Sequence, residues 1–157
     1  MKRFAITILF ALISTFMLNA QMVSVQNGLY VSANGEMFTG KFTECFASGA
    51  MKSEITISNG KVDGLAIYFY ENGAKMESGN YTSGLRVGLW EKWSEKGQQI
   101  GIANYKSGMK QGVWMVWDDQ GRKRMEMHYL NGEKSGKWMM WDENGTLSGE
   151  RMYSLVQ

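Results

Sequence analysis

Gly88-Leu89-Trp90-Glu91-Lys92-Trp93 returns as Gly112-Val113-Trp114-Met115-Val116-Trp117, and again as Gly136-Lys137-Trp138-Met139-Met140-Trp141, each time after a step of 24 residues. Other columns keep the same step: Gly73, Gly97, Gly121 and Gly145; Gly60, Gly84, Gly108 and Gly132; Tyr81, Tyr105, Tyr129 and Tyr153. Glycine and aromatic residues in register at a fixed period mark an array of like units, none of which can bury a core alone. Outward from this stretch, units begin near Gly40, Gly64, Gly88, Gly112 and Gly136, the first with Phe42 in place of Trp. The last closes on Arg151-Met152-Tyr153.

Each unit holds two turn signals. Glu71-Asn72-Gly73, Glu95-Lys96-Gly97, Asp119-Gln120-Gly121 and Glu143-Asn144-Gly145 read as three-residue hairpin loops whose last residue takes positive φ, the conformation glycine adopts without strain. Asn59-Gly60, Ser83-Gly84, Ser107-Gly108 and Asn131-Gly132 read as the return loops. Two turns per unit leave room for two strands of about six to eight residues. The chain has no proline, and no window past the first residues carries helical periodicity. The expected fold is all-β: a single-layer antiparallel β-meander solenoid of about five two-strand repeats, curled over its apolar face.

Side-chain parity suggests which face that is. The odd positions carry Ile55, Ile57, Ile67, Phe69, Tyr81, Trp93, Tyr105, Trp117, Met127, Tyr129 and Trp141, whereas the even positions carry Lys92, Asn104, Asp118, Glu126, His128 and Asp142. Strand alternation separates the two sets, and an even repeat length keeps every unit in phase. On this reading Trp93, Trp117 and Trp141 point inward with the tyrosines, while Trp90, Trp114 and Trp138 form a row on the polar face. Cys45, which falls in the Trp93 column, reads as a small core residue.

The chain of 157 residues suffices for one domain. It begins Met1-Lys2-Arg3, runs apolar from Phe4 to Leu18 and reaches Asn19-Ala20-Gln21. That pattern predicts a secretory signal peptide over 1–20, cleaved after Ala20, followed by a lead-in and cap over 21–39 and a repeat domain over 40–157. The mature chain is expected to be exported, to the periplasm or beyond it. Loss of Lys2 and Arg3 would leave 15 basic residues against 15 acidic. A neutral chain lacks the long-range field that nucleic-acid binding or attraction to an anionic membrane requires, so neither partner is expected. A lone cysteine excludes an internal disulfide.

The run from Tyr81 through Ser83-Gly84, Gly88-Leu89-Trp90 and Trp93 to Gly97 resembles the MORN repeat variant, the bacterial form of the membrane occupation and recognition nexus repeat. The likeness covers about Gly40 to Tyr153, over five units. It implies a strand-pair solenoid used for binding or scaffolding, and many such proteins carry the label of YwqK-type antitoxins.

Catalysis needs converging acid, base or nucleophile groups, and one His and one Cys offer no such set. His128 has no second His or Cys at metal-ligand spacing. The acids Glu71, Glu95, Asp119 and Glu143 recur two strands apart, roughly 9–10 Å, too far to share one calcium ion. No catalytic residue, metal or cofactor is therefore expected. Gly73, Gly97, Gly121, Gly145, Gly88, Gly112, Gly136, Trp93, Trp117, Trp141, Tyr81, Tyr105 and Tyr129 are assigned to structure. Trp90, Trp114 and Trp138 are the candidate ligand-binding residues, since a row of exposed rings can take up protein side chains or sugars. The expected function is a non-enzymatic exported scaffold that binds another protein of the envelope or the cell exterior. The alternatives are a glycan-binding module using the Trp row and an antitoxin-like or lipid-associating role.

Overall fold

The structure is a computed structural model that describes residues 22–154. The expected leader over 1–20 lies outside the described residues. Thirteen strands follow one another: β1 (Val23–Gln26), β2 (Leu29–Ser32), β3 (Gly40–Cys45), β4 (Met51–Ser58), β5 (Lys61–Phe69), β6 (Lys75–Thr82), β7 (Leu85–Trp93), β8 (Gln99–Lys106), β9 (Met109–Lys110), β10 (Gly112–Trp117), β11 (Lys123–Leu130), β12 (Glu133–Trp141) and β13 (Leu147–Tyr153). β1 and β2 pair with each other. The other strands form one antiparallel meander of 11 strands, with β3 and β13 at its edges and β9 continuing the line of β10 beside β8. The sheet does not close, and no helix occurs among the described residues.

Both turn columns behave as their residues dictate. In the first long loop the Gly73 amide donates to the Tyr70 carbonyl at 2.9 Å and the Tyr70 amide to the Ala74 carbonyl at 2.8 Å. That is a three-residue loop closed by a glycine at φ 84°, and Gly97, Gly121 and Gly145 repeat it. The return loops are two-residue turns with positive φ at both positions, as at Ser83 (50°) and Gly84 (83°), the combination that matches strand twist.

The Gly-x-Trp motif is a bulge. Ser78 pairs with Glu91 and Asn80 with Val87, so Gly88, Leu89 and Trp90 stand opposite Gly79 alone. Gly88 takes φ 65° within its strand, which permits the detour. Gly136-Lys137-Trp138 makes the same detour opposite Met127.

Register overturns the parity reading. Up to the register shift at the last pair before each long loop, partners across a hairpin sum to an odd number: Trp90 pairs with Ala103, Trp114 with Met127, and Tyr81 with Arg86. An even position on one strand therefore shares a face with an odd position on the next. The even repeat length keeps alternate strands in phase and says nothing about neighbours. Phe42, Ile55, Ala66, Tyr81, Trp90, Tyr105, Trp114, Met127, Tyr129, Trp138 and Tyr153 lie on one side, here called the ring face. Leu65, Ile67, Leu89, Asn104, Met115, Glu126, His128 and Met139 lie on the other. Alternation within β7, β10 and β12 places Trp93, Trp117 and Trp141 on that second face, half-buried, and not beside the tyrosines.

The buried cluster is Phe38, Ile55, Ile57, Ala66 and Trp90, at the N-terminal end of the array. Burying Ile55, Ile57 and Trp90 contributes roughly 1.5–3 kcal/mol each. The β1–β2 hairpin closes over this end. Tyr30 donates its amide to the Gly60 carbonyl at 2.8 Å, Gly60 donates to Phe38 at 2.8 Å, and the Tyr30 ring packs on Phe42 with centroids 5.2 Å apart. Cys45 is exposed and is no core residue, because it ends the edge strand β3 where no layer covers it.

Candidate functional site

On the ring face the tyrosine and tryptophan columns interleave into one ladder. Centroid separations run 5.0 Å from Tyr81 to Trp90, 6.4 Å to Tyr105, then 5.1 Å to Trp114, 5.1 Å to Tyr129, 5.2 Å to Trp138 and 4.9 Å to Tyr153. All contacts are edge-on or tilted, the arrangements that ring quadrupoles favour. Each indole N–H is spent on the sheet: Trp90 donates to the Asn80 carbonyl at 3.2 Å, Trp114 to Asn104 at 3.0 Å, and Trp138 to His128 at 3.0 Å.

This geometry corrects the expected tryptophan stripe. Trp90, Trp114 and Trp138 do not stand alone on a polar face; tyrosines flank them, and Trp90 is 1% exposed. Trp114 and Trp138 are half-buried. The reason is the odd pairing sum, which could have been read from the two-residue turns: Ser83-Gly84 must pair Thr82 with Leu85.

A third column, missed in the sequence, completes the site. Arg86, Lys110 and Lys134 recur at the 24-residue step and lie over the ladder. The Arg86 guanidinium carbon sits 3.8 Å from the Trp90 centroid and 5.5 Å from that of Tyr105. The Lys110 amine is 4.6 Å from Trp114 and 4.7 Å from Tyr129, and the Lys134 amine is 4.6 Å from Trp138 and 5.2 Å from Tyr153. Such contacts contribute about 0.5–1 kcal/mol each at exposed sites and hold the cation over the rings.

The three cations differ in how they are compensated. Arg86 makes a two-pronged pair with Glu77, at 2.9 and 3.0 Å. Burial opposes its charge, but the hydrogen bonds to Glu77 outweigh that and hold its pKa above the usual arginine value. Beside it Tyr68 and Tyr81 share a hydrogen bond of 3.4 Å, and burial followed by that bond pushes the Tyr68 phenol up. Lys110 and Lys134, with Lys92 and Arg151 on the same face, make no ion pair with another described residue.

The opposite face carries ion pairs of its own. Lys41 pairs with Glu54 at 2.8 Å, Lys123 with Glu126 at 2.7 Å and Lys137 with Glu150 at 2.6 Å. The hydrogen bond from Lys123 holds the Glu126 carboxyl below the usual range, and His128 lies 3.5 Å from the same group. A chain whose formal net charge is only +2 therefore presents a cationic aromatic face from β7 to β13, with no carboxylate among its described residues there.

The loop acids do local work next to the tips that carry Glu71, Glu95, Asp119 and Glu143. Asp118 accepts from the Gln120 and Arg122 amides, both at 3.0 Å, and Asp142 from those of Asn144 and Thr146, both at 2.9 Å. Among the described residues no group of three or more His, Cys, Asp or Glu side chains is placed to hold a metal ion.

The family model described as MORN repeat variant matches the chain at residues 62–82 and 134–154, which are the β5–β6 and β12–β13 hairpins. Repeats of this class generally mediate protein or membrane interaction. No curated protein matches the chain. Among solved structures, one described as a GtfA/B complex bound to UDP and GlcNAc is similar with a TM-score of 0.29 and 8% identity, over 87% of this chain and 24% of that one. The present chain thus spans about a quarter of that chain's length, and a likeness of that size carries no argument about ligand.

Proposed function

We propose that this chain is an exported, non-enzymatic scaffold that binds another protein of the envelope or cell exterior on its ring face. The observation that carries the reading is the row of Lys110 and Lys134 over the Trp–Tyr ladder. The most regular columns of the repeat converge there on one face, and no described element covers them beyond the β1–β2 end. Aromatic rings with fixed cations are the residue types that anchor protein interfaces.

A non-enzymatic role is supported by the placement of the two groups with the most reactive chemistry. Cys45 ends the edge strand β3 and His128 lies on β11, with six strands between them. Export is supported by Lys2-Arg3, the apolar run Phe4 to Leu18 and Ala20. A glycan-binding role for the Trp row has less support, since all three indole N–H groups are committed to backbone carbonyls and sugars would lose those donors.

Cross-linking in envelope extract tests this function. The wild-type chain and a Lys110→Met, Lys134→Met double variant are compared for the proteins they retain. A partner retained by the wild type and lost by the variant supports the reading, and an identical set of retained proteins contradicts it. Fractionation of cells making the full chain, or a chain without residues 1–20, tests export: the full chain is expected outside the cytoplasm and the shortened one within it.

A further inference from the structure

We infer that Lys110 and Lys134 form the recognition pair for an acidic peptide segment in polyproline II conformation, laid across the strands with a carboxylate at every third residue. This rests on the scaffold reading above and names the chemistry of its partner. Lys110 lies on β9 and Lys134 on β12, two strand spacings apart, or roughly 9.5 Å. A polyproline II segment returns a side chain to the same side every three residues, a repeat of about 9.3 Å. A β-strand returns one every two residues, at about 6.7 Å, and falls out of step. A helix comes near the pitch at seven residues, about 10.5 Å, but it docks by laying an apolar stripe into a groove, and this face is a single sheet layer.

Two further features fit the same occupant. Segments of this conformation dock on aromatic-lined surfaces, and the half-buried Trp114 and Trp138 lie beneath the two lysines, with the buried Tyr129 packed between them as their support. Each lysine is held over two rings with its N–H groups left to meet a carboxylate, so little side-chain freedom remains to be lost on binding. The row ends at Arg86, whose charge Glu77 already compensates.

Fluorescence anisotropy with dye-labelled peptides and the purified chain tests this. The probes are a run of Glu-Pro-Pro repeats, a peptide of the same composition with its glutamates contiguous, and a Gln-Pro-Pro run. Vesicles of phosphatidylserine and phosphatidylcholine are tested alongside by co-sedimentation. The expected result is that the Glu-Pro-Pro run binds at least about ten-fold tighter than either peptide control, with affinity falling as salt is raised. Lys110→Met or Lys134→Met, which keeps an apolar stem over the rings, should each weaken it about five-fold, with an unchanged circular dichroism spectrum. Lys137→Met, on the opposite face, should change nothing. Equal affinity for the contiguous-glutamate peptide, indifference to both ring-face substitutions, or uptake by vesicles without peptide binding would each overturn the proposal. If the peptide fails while envelope capture still depends on Lys110 and Lys134, the occupant is wrong and the scaffold reading stands; if capture also fails, both fall.

Discussion

The Trp90 indole lies across Gly79, so closely that a Cβ built on Gly79 would stand only 2.2 Å from the ring's Cδ2 and 2.3 Å from its Cε2. In the next two units the position equivalent to Gly79 is held by Ala103 and Met127. Trp114 and Trp138 accordingly remain half-buried where Trp90 is fully buried. Gly79→Ala should therefore lift the ring off the sheet and destabilise the chain by about 1–3 kcal/mol, the range for overpacking. Ala103→Gly, which adds no atom, should cost under about 1 kcal/mol. Urea unfolding of both variants decides the matter. Equal midpoints would show that Trp90 does not lie on Gly79.

Gly97 provides a separate test of the long loops. Its φ is 80° and open space surrounds a Cβ built there, so any cost of substitution comes from the backbone alone. Gly97→Val should lower stability by about 1–3 kcal/mol, and Gly97→Asn by less, because asparagine tolerates that conformation. A valine variant with an unchanged thermal midpoint would mean that the loop is of another type.

Acid should weaken the opposite face. The Lys123 hydrogen bond depresses the Glu126 pKa below 4.5 in the folded chain, so its contribution is complete above that value and is lost as pH falls through the folded pKa. Glu126→Gln should cost about 0.2–1 kcal/mol near neutrality, the range for pairs this exposed, and the gap to wild type should close on acidification. A gap independent of pH would show that the pair contributes nothing.

The sequence made the repeat, both turn columns and the all-β meander legible, because turns are local: an Asn-Gly or Glu-Asn-Gly turn follows from the φ preferences of its own residues. The faces were not legible by parity alone. Trp90 and Tyr105 meet only through the pairing sum across a hairpin, and Gly88-Leu89-Trp90 is a bulge that alternation cannot register. The Arg86, Lys110 and Lys134 column was visible as a spacing, yet its meaning depends on which rings lie beneath it. The net charge concealed it further, since cations on one face and acids paired on the other cancel in a sum over residues.

Everything assigned to the cationic aromatic face depends on the Tyr81 and Trp90 columns sharing one side of the sheet, with the Trp93 column on the other. Unfolding of the six single Trp→Ala variants measures this directly. Trp90→Ala should cost about 3–5 kcal/mol, as for removal of a fully buried ring, with Trp114→Ala and Trp138→Ala next. Trp93→Ala, Trp117→Ala and Trp141→Ala, half-buried and outside the ladder, should each cost less than their partners three residues earlier. The reverse order, with the Trp93 column the costlier, would contradict the register and with it the face on which binding is placed.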